Sequence, residues 1–477
     1  TGNDAFYGWS EYSMMRGRGY YMYVNGYHSV QATATEGMDA ARLFDTSGND
    51  QLVSTPEHSE LSGNGYANRV VGFDQVFAYA TADGYDTSRM YDSMGNDTFI
   101  GTPTNAQFYG AGFSNMATGF EAVYAYATEG VDSARFQDSA GNDEFFSWAQ
   151  YSMMRGAGYY SYVNVFDSVR AIATQGTDKA RFYDTAGDDR FTASPERAEL
   201  SGSGFSNSAE GFDQIYAYST AGGYDSATLQ DSVNDDSYRA TPSYAMLSGV
   251  GFSVLVSEFE SVSAHATVGN DSATLIDSAG NDEFYGWLSS AVMRVTGFNN
   301  DVSGFDAVNA LATSGGIDWA RLYDSIGNDE YYGWAGYSLM RGGGYSNYVR
   351  NFDFVLAYSK NGGHDTSRLY DSLGDDLFSA RANYSVMSGS GFYNMANGFA
   401  TAYAYANAGG HDEARFLDVD ESGRVYGRSN LASYLTTAQN RWLWNFDTVT
   451  AVAKPGSRPR ADVSATDYLF ERLGEWV

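Results

Sequence analysis

YDSMGNDTFIG, residues Tyr91–Gly101, decides how the rest of the chain is read. Asp92 and Asp97 bracket a turn of small residues, and a Phe-x-Gly strand start follows. Asp and Ser side chains bond readily to nearby backbone, so a cluster of them favours a corner. Near-copies stand at FDTSGNDQLVS (Phe44–Ser54), QDSAGNDEFFS (Gln137–Ser147), IDSAGNDEFYG (Ile276–Gly286) and YDSIGNDEYYG (Tyr323–Gly333). The last Asp of the motif falls at Asp4, Asp50, Asp97, Asp143, Asp189, Asp236, Asp282, Asp329 and Asp376, in steps of 46 or 47 residues. A degenerate tenth copy is centred on Gly423. A fixed period of this size marks a solenoid, a propeller or an array.

Other columns keep step with these aspartates. A second acid stands five residues before each, as at Asp45, Asp92, Asp138 and Asp184. A third stands eleven before, as at Asp39, Asp86, Asp132 and Asp178. A Gly-Phe-Asp-like element brings a fourth 24 residues after, at Asp74, Glu121, Asp167, Asp213, Glu260, Asp306 and Asp353. Trp9, Trp148, Trp287 and Trp334 share one slot, and the first three are 139 residues apart, which is three copies.

Within a copy the apolar residues alternate with period two, the spacing of strands. Ala-x-Leu-x-Asp (Ala41–Asp45), Asp-x-Phe (Asp97–Phe99), the run Ala106, Phe108, Gly110, and the run Asp74, Val76, Ala78, Ala80 supply four strand positions. The first resembles the third and the second the fourth, so one copy reads as two coils of about 23 residues. The fold expected is an all-β parallel β-helix, a solenoid over residues 1–460, with a β-propeller-like array as the alternative. Asparagines at Asn68, Asn115, Asn207, Asn300, Asn347 and Asn394 are expected to form a ladder of amides in a bend. Ser464-Ala-Thr-Asp467 ahead of Tyr468, Leu469, Leu473 and Trp476 reads as a capping box, so residues 461–477 are expected to be a short helical cap. The chain opens inside its own motif, TGND, and is read as continuing upstream.

Composition narrows the function. Acidic side chains number 59 against 28 basic ones, a net charge of −31, and only Lys179, Lys360 and Lys454 are lysines. Such a surface repels nucleic acid and anionic lipid and suits cations. Cysteine is absent, which excludes disulfides and thiolate metal sites. No apolar run approaches the length of a membrane span, so membrane insertion is not expected.

The Gly-Asn-Asp-x-Phe turn resembles part of the calcium-binding nonapeptide of RTX β-rolls, through Gly95, Asp97 and Phe99 and through Gly141, Asp143 and Phe145. Here the leading glycine pair is Asp-Ser or Asp-Thr, and the motif returns once per copy rather than every nine residues. The resemblance implies calcium at the corners made by Asp45 and Asp50, Asp92 and Asp97, Asp138 and Asp143, Asp184 and Asp189, Asp277 and Asp282, Asp324 and Asp329, and Asp371 and Asp376. The competing reading is a corner whose carboxylates accept its own backbone N–H groups. Acids stacked one strand apart repel by about 0.9 kcal/mol in water and about 3.5 kcal/mol at an effective dielectric of 20, so donors, calcium or arginine must offset them. Arg42, Arg89, Arg135, Arg181, Arg321, Arg368 and Arg415, in the slot between the buried Ala and Leu, are the nearest cations in sequence.

No catalytic residue is expected. Loop lengths are constant to one residue, almost every acid has equivalents in the other copies, and the five histidines are scattered. The 39 tyrosines are the stronger hint. Phe77, Tyr79, Tyr124, Tyr126, Tyr216, Tyr218, Tyr403 and Tyr405 alternate with alanines, and an inward Ala column would leave these rings as an outer strip suited to sugars or to a second copy. In general terms the chain resembles exported bacterial β-solenoid repeat proteins. The function expected is an extracellular or cell-surface structural element, a stalk, fibre or surface layer, whose partners are identical chains or extracellular polysaccharide. A carbohydrate-binding or polysaccharide-degrading β-helix is the alternative.

Overall fold

A computed structural model describes residues 2–295 and 297–477, as strands joined by turns, bends and irregular segments. No helix occurs among the described residues, and so none that is long and apolar enough to cross a membrane. The chain forms two compact units: Thr1–Thr228 with Gly251–Phe259, and Leu229–Val250 with Glu260–Val477. Each is a β-solenoid built from the copies seen in the sequence.

In the first unit, the copy that starts at Asp97 shows the plan. Thr98–Gly101, Asn105–Gly110 and Phe113–Thr118 form an antiparallel meander. Ala122–Tyr126 then pairs in parallel with Thr87–Tyr91 on one side and Tyr159–Asn164 on the other. Ser133–Gln137 returns to the first sheet, in parallel with Thr98–Gly101 and Ser168–Ile172. The next meander, Glu144–Ser147, Tyr151–Gly156 and Tyr159–Asn164, lies in the opposite sheet. Meanders therefore alternate between two sheets, with two parallel strands between them. The second unit repeats the plan with Glu283–Gly286, Ser290–Val295 and Phe298–Ser303, followed by Ala307–Leu311 and Trp319–Tyr323.

Alternation dictates the core. Phe99, Phe108, Phe136, Phe145 and Phe182 are fully buried, and Phe99 meets Phe108 edge-on at 5.8 Å. Each such ring stabilises by roughly 1.5–3 kcal/mol relative to exposure. The Phe of the Gly-Phe-Asp element, such as Phe120 and Phe166, fills the corner between the sheets. The residue before it turns at positive φ: Gly119 at +86°, where a Cβ would lie 1.8 Å from the carbonyl oxygen of Ala80, and Val165 at 62° ahead of Phe166.

Three expectations are corrected here, although the solenoid class stands. A copy does not divide into two equivalent coils. The segment Phe113–Thr118, read as a bend, is the third meander strand, because an edge left by Gln75–Tyr79 supplies its partners. The asparagines likewise do not stack on one another. They lie on these strands, and the Nδ2 groups donate into the core to the Trp/Thr corner of the preceding copy, as Asn207 to the carbonyl of Trp148 at 3.0 Å and Asn115 to that of Thr55 at 3.0 Å. Finally, residues 461–477 are not a helix. Arg460–Thr466 pairs with Gly423–Ser429, and Leu469–Leu473 with Thr448–Ala453. An open strand edge offers this segment a full ladder, which outweighs local helix propensity. Tyr468 anchors the turn between them by donating to the carbonyl oxygen of Leu431 at 3.0 Å.

Candidate cation site in the stacked acids

The strand register brings acids of successive windings into one column. Thr98, Ser133 and Ser168 are lateral neighbours, so Asp97, Asp132 and Asp167, one residue earlier, stand one above another. The backbone N–H of Asp97 donates to Asp132 Oδ1 at 2.7 Å, and that of Asp132 donates to Asp167 Oδ2 at 2.7 Å. The same two steps join Asp143, Asp178 and Asp213, and in the second unit Asp236, Asp271 and Asp306, then Asp282, Asp318 and Asp353.

The motif Asp closes its own turn as well. Asp97 Oδ2 accepts the N–H and hydroxyl of Ser93 at 2.8 and 2.7 Å, and the Ser93 hydroxyl accepts the N–H of Gly95 at 3.1 Å. Asp50, Asp143, Asp189, Asp236, Asp282, Asp329 and Asp376 are held alike by the Ser or Thr four residues earlier. The bracketing acid faces the next winding: Asp45 Oδ2 accepts the N–H of Ala82 at 2.8 Å, and Asp184, Asp324 and Asp371 accept those of Ala221, Lys360 and Ala408. Asp92, Asp138 and Asp277 accept Thr hydroxyls there, from Thr128, Thr174 and Thr313. Corner acids thus satisfy backbone donors across as well as within windings.

Burial and mutual repulsion set the electrostatics. Asp132 is 2 % exposed, and its carboxyl is pushed up to about 6, by burial first and then by Asp92, Asp97 and Asp167, against the Asp97 N–H. Asp86, Asp178, Asp318 and Asp412, at the same place in their stacks, are likewise raised to about 6. The arginines do not relieve this. Arg181 pairs with Glu144 at 3.0 Å and lies between the rings of Phe146 and Tyr216, and Arg368 pairs with Glu330 at 3.1 Å between Tyr332 and Tyr403. Their side chains serve the outer sheet face, because their slot has the opposite parity to the acids.

One oxygen of the motif Asp varies between copies. Gly110 covers Asp97 Oδ1 so closely that an added Cβ would lie 1.5 Å from it. Tyr159 donates its hydroxyl to the equivalent Asp143 Oδ1 at 2.9 Å, and Tyr345 to Asp329 Oδ1 at 3.0 Å. Phe113, Phe205, Phe252 and Phe392 have no hydroxyl, and Oδ1 of Asp97, Asp189, Asp236 and Asp376 is buried without a protein partner. Asp50 and Tyr66 face each other without closing a hydrogen bond.

Among the described residues, five corners gather three buried carboxylates with an oxygen of each within 4.8 Å of the others: Asp92, Asp97 and Asp132; Asp138, Asp143 and Asp178; Asp231, Asp236 and Asp271; Asp277, Asp282 and Asp318; Asp324, Asp329 and Asp365. Such a triad is able to hold a metal ion, and its all-oxygen donor set matches hard cations. The pairs Asp45 and Asp50, Asp184 and Asp189, and Asp371 and Asp376 share the corner geometry but are not among these triads. The middle acid of each triad was missed as a ligand from sequence. Its signal is there: Asp97, Asp132 and Asp167 are equal steps of 35 residues apart.

The aromatic residues of the Ala-containing strands have the parity opposite to the core. Ala78, Ala125, Ala217 and Ala404 are fully buried, and Phe77, Tyr79, Tyr124, Tyr126, Tyr216, Tyr218, Tyr403 and Tyr405 alternate with them, half-buried. The rings belong to rows. In the first unit Trp148 stacks on Tyr183 at 4.4 Å and Tyr183 on Tyr218 at 5.3 Å. In the second, Trp334, Tyr370, Tyr405 and Trp444 follow one another at 4.8, 5.1 and 5.0 Å. Ring faces in these rows are turned to one another and ring edges to solvent. Neither a search of protein-family models nor one of curated proteins finds a match to this chain.

Proposed function

We propose that the protein is a structural or adhesive solenoid of the cell exterior, stiffened by calcium in its acid stacks and able to associate with further copies of itself. The observation that carries this reading is the recurrence through both units of one Ser/Thr-capped corner whose motif Asp is stacked on an acid of the next winding. A catalytic cleft needs a group that differs from its neighbours, whereas these corners are equivalent. Calcium fits the donors: oxygen only, multiply charged, and short of a cation, since the arginines are engaged elsewhere. Sugar binding has less support, because stacking on a sugar needs a free ring face and the rows turn edges outward.

Sedimentation velocity over a wide concentration range, with calcium or with chelator, tests the reading. Concentration-dependent growth of the sedimenting species in calcium is expected. A monomer at every concentration in both buffers, together with retention on a polysaccharide matrix, would replace it with the carbohydrate-binding alternative.

A further inference from the structure

The second unit contains one place where the core pattern breaks. In eight preceding meanders the central cross-strand pair joins an apolar side chain to a small or apolar one, as Leu61 with Asn68, Met154 with Ser161, and Met387 with Asn394. In the tenth copy this pair is Tyr434 with Arg441. Asn394 donates to the carbonyl oxygen of Trp334 at 2.9 Å, whereas a guanidinium is too long for that role. Arg441 instead reaches the carbonyl oxygens of Phe399 and Asn440 with Nη1, at 3.3 and 3.1 Å, and Gln439 Oε1 with Nη2 at 2.8 Å.

Arg441 is 2 % exposed, forms no ion pair among the described residues, and its Nε–H has no acceptor. Arginine does not shed its proton in proteins, so a buried positive charge stands here without a counterion. It lines a cavity of about 210 Å³ with Tyr434, Ser422 and Gln439. The other charges on the wall are engaged: Arg381 pairs with Asp418, and Asp420 accepts the N–H and hydroxyl of Ser422, at 3.0 and 2.5 Å. Asp418 takes up φ 61° at this wall, beside the register shift between Phe416 and Val419, so the backbone departs from the repeat where the cavity forms.

We propose that the tenth copy carries a binding site for a small monoanionic carboxylate, anchored by Arg441 with the Tyr434 hydroxyl as a second donor. A carboxylate in the cavity would supply the negative charge that no protein acid gives this guanidinium, with two oxygens for its donors. One negative charge neutralises one buried cation, whereas a dianion would overshoot beside Asp420 in a protein of net charge −31. This site is independent of the acid stacks, which take the opposite charge.

The test is calorimetric titration of the whole chain with sodium acetate and with sodium phosphate, alongside melting curves at constant ionic strength. Acetate is expected to bind saturably and to raise the Tm. Arg441→Asn, which restores the residue of this column, is expected to fold and to bind acetate at least ~10-fold more weakly. Tyr434→Met, which restores Met387's residue type, weakens binding less. Absence of a saturable acetate response in the native protein overturns the site, as does an equal response in Arg441→Asn. Tighter binding of phosphate than of acetate overturns the ligand class.

Discussion

At the scale of single residues, the acid stacks are governed by what each carboxylate accepts and what it repels. Asp132 accepts the Asp97 N–H, so its two truncations separate the effects. Asp132→Ala leaves that buried N–H without a partner and is expected to cost about 1–3 kcal/mol. Asp132→Asn keeps an acceptor and removes one of the crowded charges, so at neutral pH in chelator its melting temperature should match or exceed that of the parent. A fall as large as that of the alanine variant in thermal melts would show that charge repulsion is not what strains the stack. The unpartnered Oδ1 of Asp97 gives a second prediction. Phe113→Tyr places a hydroxyl where Tyr159 and Tyr345 already donate, and should add about 0.5–1.5 kcal/mol, read as a rise in chemical-denaturation midpoint.

At the scale of elements, much was legible in sequence and the remainder has a physical reason. Period-two alternation in Ala41–Asp45 and Asp74–Ala80 identified parallel strands, whereas which face turns inward was open in the sequence and is given by the buried alanines Ala78 and Ala125. Sequence similarity between half-copies did not reveal that Asn105–Gly110 runs antiparallel, since alternation is the same in either direction. The terminal strands were misread because Ser464 and Asp467 carry a helix-start pattern, while the competing signal, an unpaired edge, is not local. Bracketing acids such as Asp92 and Asp97 do share a corner, but the third acid beside them lies 35 or 36 residues on, beyond the reach of a local motif. The outer aromatic rows act as elements of their own. Tyr183→Ala removes stacking on Trp148 and Tyr218 and should cost about 1–3 kcal/mol, with a red shift of tryptophan emission. An unchanged melt and emission would mean that the rows are incidental to stability.

At the scale of the whole molecule, both units carry the same stacks under a net charge of −31, so small effects per copy accumulate. Asp86, Asp132, Asp178, Asp318 and Asp412 have folded values of about 6, above the ordinary carboxyl value. The folded chain therefore keeps protons that the unfolded chain releases. Their stabilisation is complete below about pH 4 and is lost as pH rises through about 6. Glu144, Glu283 and Glu330, held low by arginine or tyrosine partners, work the other way and lose their contribution only as pH falls below the ordinary glutamate range. On the proposed reading, a cation bound in the stacks would replace their protons once these have left. The melting temperature measured with and without calcium, at pH 5 and at pH 8, tests this most directly. In chelator it should be lower at pH 8 than at pH 5, and calcium should restore it at pH 8 while changing little at pH 5. A melt that is higher at pH 8 in chelator and indifferent to calcium at both values would contradict the account.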